Sequence, residues 1–361
     1  MNYALRLKNL RGTLKKLKCD ALAVSHLTNV RYLTGFTGTS GMLLVTADTA
    51  HFITDFRYRS QAQSQVGAFT EVTIADSGLW PEAIILANKE KLKRIGFEAE
   101  HTSVAAWEEI VKLLASNMKT VATRRAVEEL RLIKDDDEMT IIRQAVRIAD
   151  EALAEIFEIM RPGLTEREVA AALESAMRSR GASGLSFETI VASGGRGALP
   201  HGVASDKILE HGDMVTIDMG ARYNDYCSDM TRTVCLGRAN AEQKKIYETT
   251  YRAQVAACEA LKPGLSCKAA DAVARKIIDD AGFKGAFGHG LGHGVGIDIH
   301  EAPRLAKVGK GKLAAGMVVT SEPGIYIPEI GGVRIEDMLL ITESGAEILT
   351  GSPKPSALLE L

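Results

Sequence analysis

Near the start of the chain Leu7, Leu10, Leu14 and Leu17 recur at helical spacing, which predicts an amphipathic first helix. From residue 20 to 125, short apolar runs at 21 to 24, 42 to 45, 51 to 54 and 72 to 74 alternate with helical patterns such as 107 to 115. That rhythm belongs to a small α/β domain. Next come the acids Asp135, Asp136, Asp137 and Glu138, followed by a long 3.6-period stretch over 139 to 160. Acids in a first turn complement the helix dipole and can cap its free N–H groups, so a long helix is expected to start there. We place a domain boundary near residue 128, inside a helical connection, giving domains 1–128 and 129–361.

The second domain carries an internal echo. Met160-Arg161-Pro162-Gly163-Leu164-Thr165 leads into a helical pattern ending at Gly181, and Leu261-Lys262-Pro263-Gly264-Leu265-Ser266 leads into one ending at Gly282. Both the Pro and the Gly positions are offset by 101 residues (263 − 162 and 282 − 181). Each copy reads as a helix, a Pro-Gly turn, a Thr or Ser N-cap and a second helix, with Glu168 completing a capping box on Thr165. A repeat this long implies one domain built from two similar halves, with a site where they meet. Strands are expected at 214 to 219 and 230 to 236, joined by a turn-rich 221 to 228, and again at 317 to 320 and 338 to 342.

Composition narrows the function classes. The 44 Lys and Arg nearly balance the 46 Asp and Glu, for a formal charge of −2, which disfavours a nucleic-acid binder. No apolar run reaches the length of a membrane span, and the N-terminus lacks the apolar core of a signal peptide. A cytoplasmic protein is expected. The six bases among the first 18 residues read as the solvated face of the first helix rather than a membrane-surface element. Cys19, Cys227, Cys235, Cys258 and Cys267 include no C-x-x-C pair, so buried thiols are expected rather than disulfides or a Cys zinc site. Glycine is in excess at 33 residues, seven of them between 282 and 296, and we read it as backbone kept thin where a ligand approaches.

Several carboxylates and a histidine interrupt apolar or glycine-rich runs. Asp218 lies in Val215-Thr216-Ile217-Asp218-Met219, and Asp229 follows across the turn. A lone buried Asp is expensive unless paired or bound to a cation. His293 sits in Gly288-His289-Gly290-Leu291-Gly292-His293-Gly294, while Glu322 and Glu336 flank later apolar runs. Singly, each reads as an edge charge or an ion-pair partner. Together, two Asp, two Glu and one His form an oxygen-rich set suited to Mn²⁺, Co²⁺ or Fe²⁺, with Zn²⁺ also compatible. Four carboxylates exceed the needs of one divalent ion, so two ions sharing a water is the natural charge count. Dinucleotide, P-loop, H-E-x-x-H and G-x-S-x-G motifs are lacking. The stretch Gly194-Gly195-Arg196-Gly197 reads as a flexible loop before it reads as a phosphate cradle.

With these residues in view, the C-terminal part of the chain resembles the creatinase and methionine-aminopeptidase superfamily of metallopeptidases. That resemblance implies an α+β chain: a pita-bread catalytic domain with an internal two-fold repeat, preceded by a smaller α/β creatinase-type domain. The family's ligands, in the order Asp, Asp, His, Glu, Glu, fall on Asp218, Asp229, His293, Glu322 and Glu336. The stretch from His289 to Glu301 is similar to the signature of the proline-specific peptidases. Val30-Arg31-Tyr32-Leu33-Thr34-Gly35-Phe36 and Thr54-Asp55-Phe56-Arg57-Tyr58 are similar to the smaller domain of Xaa-Pro aminopeptidases and prolidases. The resemblance implies that Asp229 and Glu336 bridge two ions, Asp218 binds one, and His293 with Glu322 holds the other. It makes Glu322 the general acid and base, and gives His201, His289, His300 and Arg334 the work of orienting the peptide and steadying the oxyanion.

The expected activity is two-metal hydrolysis, with Mn²⁺ foremost, of the bond between an N-terminal residue and proline. The Thr54 to Tyr58 motif leans toward an Xaa-Pro aminopeptidase, with an Xaa-Pro dipeptidase as the alternative. A metal-free creatinase-like hydrolase, a methionine aminopeptidase and a metal-free peptide-binding module stand further off. The resemblance also implies a homodimer.

Overall fold

The computed structural model describes residues 1–328 and 330–361. It divides into two compact units, Met1–Arg131 and Leu132–Leu361.

The first unit is built on a six-stranded sheet ordered Glu71–Ile74, Ala50–Thr54, Met42–Thr46, Ala21–Val24, Arg94–Glu98, Lys119–Thr123. The three strands that begin at Ala21, Met42 and Ala50 are buried at every position. Continuous apolar runs of this kind mark strands covered on both faces. Arg94–Glu98 and Lys119–Thr123 escape the sequence pattern because their apolar content is low. The leucine stripe forms the helix Tyr3–Leu17, burying Leu7, Leu10 and Leu14, and the next expected helix is Val104–Leu113.

In the second unit the acids at 135 to 138 open the helix Asp136–Ile159, where Asp135 and Glu138 make a reciprocal capping box. The internal repeat is structural. Asp136–Ile159 turns into Glu166–Ser179, and Ala241–Ala260 turns into Cys267–Ile278, with N-caps Thr165 and Ser266. Thr165 and Glu168 form the expected capping box. Each turn is pinned alike: the Gly163 N–H donates to Leu209 O and the Gly264 N–H to Leu313 O, both at 2.9 Å. The echo continues in the bridges Thr165↔Ile208 and Ser266↔Lys312, whose first members lie 101 residues apart and whose second members lie 104 apart. It then reaches the strands Met214–Met219 and Val318–Ser321.

Met214–Met219 is the centre of an antiparallel sheet between Ile190–Ser193 and Met230–Cys235. Val318–Ser321 lies between Gly292–Gly294 and Asp337–Ile341 in a five-stranded sheet. Each half has its own core, with Ile148, Leu173 and Ile217 in one and Ile246, Ala274 and Leu339 in the other. The expected turn at 221 to 228 is a hairpin of Ala221–Tyr223 and Tyr226–Cys227, tightened by Asn224 and Asp225 at φ 42° and 75°. Its strands are too short to register as a pattern. All five cysteines are free and buried. Arg196 of the glycine-rich loop is engaged by the buried Glu166 and by Val203 O, which accounts for its charge without a phosphate. Among the described residues, no helix is long and apolar enough to cross a membrane.

Gly163 and Gly264 hold φ of 95° and 85°, and an added Cβ at either would meet no atom within 4 Å. Their replacement by alanine should therefore cost backbone strain alone, about 1–2 kcal/mol each. Gly184 is equally open but has no positive φ, so Gly184→Ala should leave the urea midpoint nearly unchanged while Gly163→Ala and Gly264→Ala lower it.

Candidate metal centre

The two strand pairs bring the five metal-type residues together. Asp218 stands across from Thr231 in the antiparallel pair. Asp229 lies two residues before Thr231, on the same face by the period of a strand. In the other sheet Ser321 pairs with Asp337, so Glu322 and Glu336 extend that pairing by one step. The Glu336 N–H donates to Thr231 O at 3.1 Å, which stitches the two sheets together at the site. His293 is held by its own N–H to Thr320 Oγ1 at 3.1 Å. Its Nε2 lies 3.4 Å from both Asp229 Oδ2 and Glu322 Oε1, and ligand atoms of Asp229, His293 and Glu336 all lie within 4.8 Å of one another.

The electrostatics are those of a cation-binding set. Burial and then the charges of Glu336, Asp218 and Glu322 push the Asp229 carboxyl well above its usual range. Burial followed by Glu322 and Asp218 does the same to Glu336. Glu322 is pushed up to about 8, burial outweighing the pull of Arg334. Burial lowers His293 to about 4. Its Nδ1 lies 3.0 Å from the Gly294 carbonyl oxygen, which can only accept, so the neutral ring carries its proton there and turns the Nε2 lone pair toward two carboxylates. Asp218 Oδ1 is buried with no hydrogen-bond partner. Lone pairs of four carboxylates and an imidazole facing one small volume are satisfied by positive charge, so the residues fit divalent cations.

The other expected residues line the same cleft of about 590 Å³. Arg334 donates from Nη2 to Asp218 Oδ2 (2.6 Å), from Nη1 to the Tyr326 hydroxyl (2.9 Å) and from Nε to Thr231 Oγ1 (3.0 Å). Its fork is thus occupied in orienting the ligand set. The Tyr326 hydroxyl in turn lies 2.8 Å from His289 Nε2, and His289 Nδ1 lies 2.8 Å from Gly290 O. Since the carbonyl accepts, the relay runs in one direction, Arg334 to Tyr326 to His289 to Gly290. His201 and His300 are exposed in the cleft, and the His300 ring lies 4.4 Å from that of His293.

Thr231, Tyr326 and Arg304 were missed by the sequence reading. Thr231 donates to Glu336 Oε2 at 2.7 Å, and the β-period from Asp229 could have found it. Arg304 is the cross-strand partner of His293 and lines the cleft; nothing local marks it. The glycines serve two ends: Gly290 and Gly292 line the cleft, and Gly292 and Gly294 also make room for backbone. A Cβ on Gly292 would strike the Thr320 carbonyl and one on Gly294 the Ala302 carbonyl. These glycines admit neighbouring strands beside His293.

Comparison with known proteins agrees with this geometry. Residues 140–343 match the model of metallopeptidase family M24, and residues 6–133 that of the creatinase/prolidase N-terminal domain. The chain is 39% identical to an Xaa-Pro dipeptidase of Pyrococcus horikoshii over 350 residues, 96% of each chain. It superposes on the structure of an Xaa-Pro dipeptidase from Bacillus anthracis with a TM-score of 0.96 at 41% identity, covering 100% of both chains. An X-Pro aminopeptidase from Thermotoga maritima superposes with a TM-score of 0.89 at 36% identity, covering 98% of this chain and 99% of that one. The chain belongs to metallopeptidase family M24, with a creatinase/prolidase N-terminal domain before a pita-bread domain.

Proposed function

We propose that this metallopeptidase hydrolyses the bond before proline in Xaa-Pro dipeptides, in preference to the aminopeptidase activity toward which the Thr54 to Tyr58 motif leaned. The observation that carries this reading is Arg304. It stands one strand across from His293, and its side chain makes none of the ion pairs or hydrogen bonds found among the described residues. A dipeptide ends in a carboxylate one residue beyond the scissile bond, and a guanidinium is the side chain best matched to it. A longer peptide has an amide there. The relatives named Xaa-Pro dipeptidase support the same choice.

In this reading Asp218, Asp229, His293, Glu322 and Glu336 would hold divalent ions, Mn²⁺ by preference of the oxygen-rich set, and four carboxylates would balance two of them. Such ions would supply a water of lowered pKa and polarise the scissile carbonyl. Glu322 would accept the proton at its carboxylate and return it to the proline nitrogen, which must be protonated to leave as an amine. Arg334, Tyr326 and Thr231 keep Asp218, His289 and Glu336 in place, while His201 and His300 face the peptide. We carry a homodimer and a cytoplasmic setting as further parts of the reading; light scattering of the purified chain tests the first.

Chelation should abolish Xaa-Pro cleavage and Mn²⁺ or Co²⁺ restore it, while Asp229→Asn should lower kcat at least about 100-fold; activity that survives both would sink the hydrolase reading. Arg304→Ala should raise KM for Xaa-Pro about 10-fold or more, a charged hydrogen bond being worth roughly 1.5–3 kcal/mol, with little effect on the KM for the corresponding Xaa-Pro amide. Faster cleavage of Xaa-Pro-Yaa-Yaa than of Xaa-Pro by the wild type would favour an aminopeptidase instead.

A further inference from the structure

Outside the cleft, the described residues hold one more cluster of metal-type side chains, His26, His101 and Glu128, all within Met1–Arg131. The sheet brings the two histidines together. Ala21–Val24 and Arg94–Glu98 are parallel neighbours, with Ala23 opposite Phe97. His26 and His101 each follow shortly after one of these strands, so both leave the same carboxyl end of the sheet, where α/β folds commonly place ligands. Their rings stack with centroids 3.7 Å apart and planes 5° apart. His101 Nε2 lies 2.8 Å from Glu128 Oε1, and ligand atoms of all three residues fall within 4.8 Å of one another.

A single hydrogen-bonded frame positions the set. The His26 N–H donates to Glu98 Oε2 at 2.8 Å, and the His101 N–H donates to Glu98 O at 3.1 Å. Asn29 Nδ2 donates to Glu98 Oε1 and to Glu128 Oε1, both at 2.7 Å. Arg131 Nη1 fixes that amide by donating to Asn29 Oδ1 at 2.8 Å. Burial acting to raise the Glu128 carboxyl is outweighed by Asn29 and His101, which hold it below the usual range. The result is an ionised carboxylate beside two imidazoles, with a second layer of partners of the sort that orients metal ligands.

We propose that His26, His101 and Glu128 bind one Zn²⁺-type ion, at a site separate from the cleft. Two imidazoles and one carboxylate suit borderline ions such as Zn²⁺, whereas the oxygen-rich cleft suits harder ones. Tetrahedral bonds of about 2.1 Å put neighbouring ligand atoms roughly 3.4 Å apart, inside the 4.8 Å that already encloses the three ligand atoms. On binding, the proton that His101 carries on Nε2 is exchanged through solvent to Nδ1, so that the ring stays a neutral ligand, and ion contacts replace its hydrogen bond to Glu128. The rings tilt out of their parallel stack so that both lone pairs converge on the ion. His101 is exposed, which leaves the fourth position to water. An ion held this way ties three distant segments together and stabilises the first unit by binding only the folded form.

The test uses the full chain and Zn²⁺ itself. In equilibrium dialysis with metal analysis, the wild type should hold one more Zn²⁺ per chain than His26→Ala or His101→Ala, each checked for folding by circular dichroism. Asp229→Asn, which disables the cleft, should retain that equivalent, so this inference and the peptidase reading fail separately. X-ray absorption of Zn²⁺ bound to Asp229→Asn should show two imidazoles at about 2.0–2.1 Å. Equal Zn²⁺ content in wild type and both folded histidine variants, or a zinc spectrum without paired imidazoles, would overturn the proposal.

Discussion

Mutual repulsion among carboxylates taken out of water is the constraint around which the second unit is arranged. Asp218, Asp229, Glu322 and Glu336 come from four strand ends in two sheets, and each would be destabilised as an anion by the others. The fold answers with directed neighbours. Thr231 reaches Glu336 and Arg334 holds Asp218, while His293 keeps its lone pair toward the carboxylates by committing its proton to Gly294 O. What remains unsatisfied is the demand for positive charge at the centre, and that is the property a metallopeptidase requires of its apo site. Stability is given up locally so that ions are bound where the chemistry occurs.

The internal repeat explains how so costly a set can be assembled. Asp218 and Glu322 occupy equivalent places, 104 residues apart, at the ends of the strands Met214–Met219 and Val318–Ser321. Asp229 and Glu336 each stand immediately before the following strand, Met230–Cys235 or Asp337–Ile341. Each half thus contributes one strand-end carboxylate and one pre-strand carboxylate, on a frame of paired helices with a core of its own. The symmetry is broken by His293 and Arg304, which belong to the Gly292–Gly294 and Glu301–Leu305 pair, and it is there that the site acquires a direction along which a peptide can lie.

Much of this was legible in the sequence, because burying charge leaves a mark. An Asp inside Val-Thr-Ile-Asp-Met cannot be an ordinary core residue, and the Pro-Gly turns repeat with a spacing no chance pattern sustains. Helix starts were equally readable, since Asp135, Thr165 and Ser266 cap by local chemistry. What could not be read is whatever depends on pairing between distant strands. Arg304 gains its place only through register with His293, Tyr326 only through Arg334, and the His26, His101 and Glu128 cluster only because two parallel strands end side by side. The glycines near His293 were noticed for their number and two of them line the cleft, but their second purpose was hidden, because the atoms that Gly292 and Gly294 make room for belong to Thr320 and Ala302.

The pairing of Gly292–Gly294 with Glu301–Leu305 is interrupted between His293 and Gly294, where the register shifts. Such an irregularity aims side chains and pins the alignment of the strands around it. Because strand side chains alternate with a period of two, gain or loss of a single residue between 294 and 304 would turn Arg304 to the opposite face while leaving His293 where it is. The length of the segment, and not only the residue at 304, therefore decides which face the Arg304 side chain occupies beside His293.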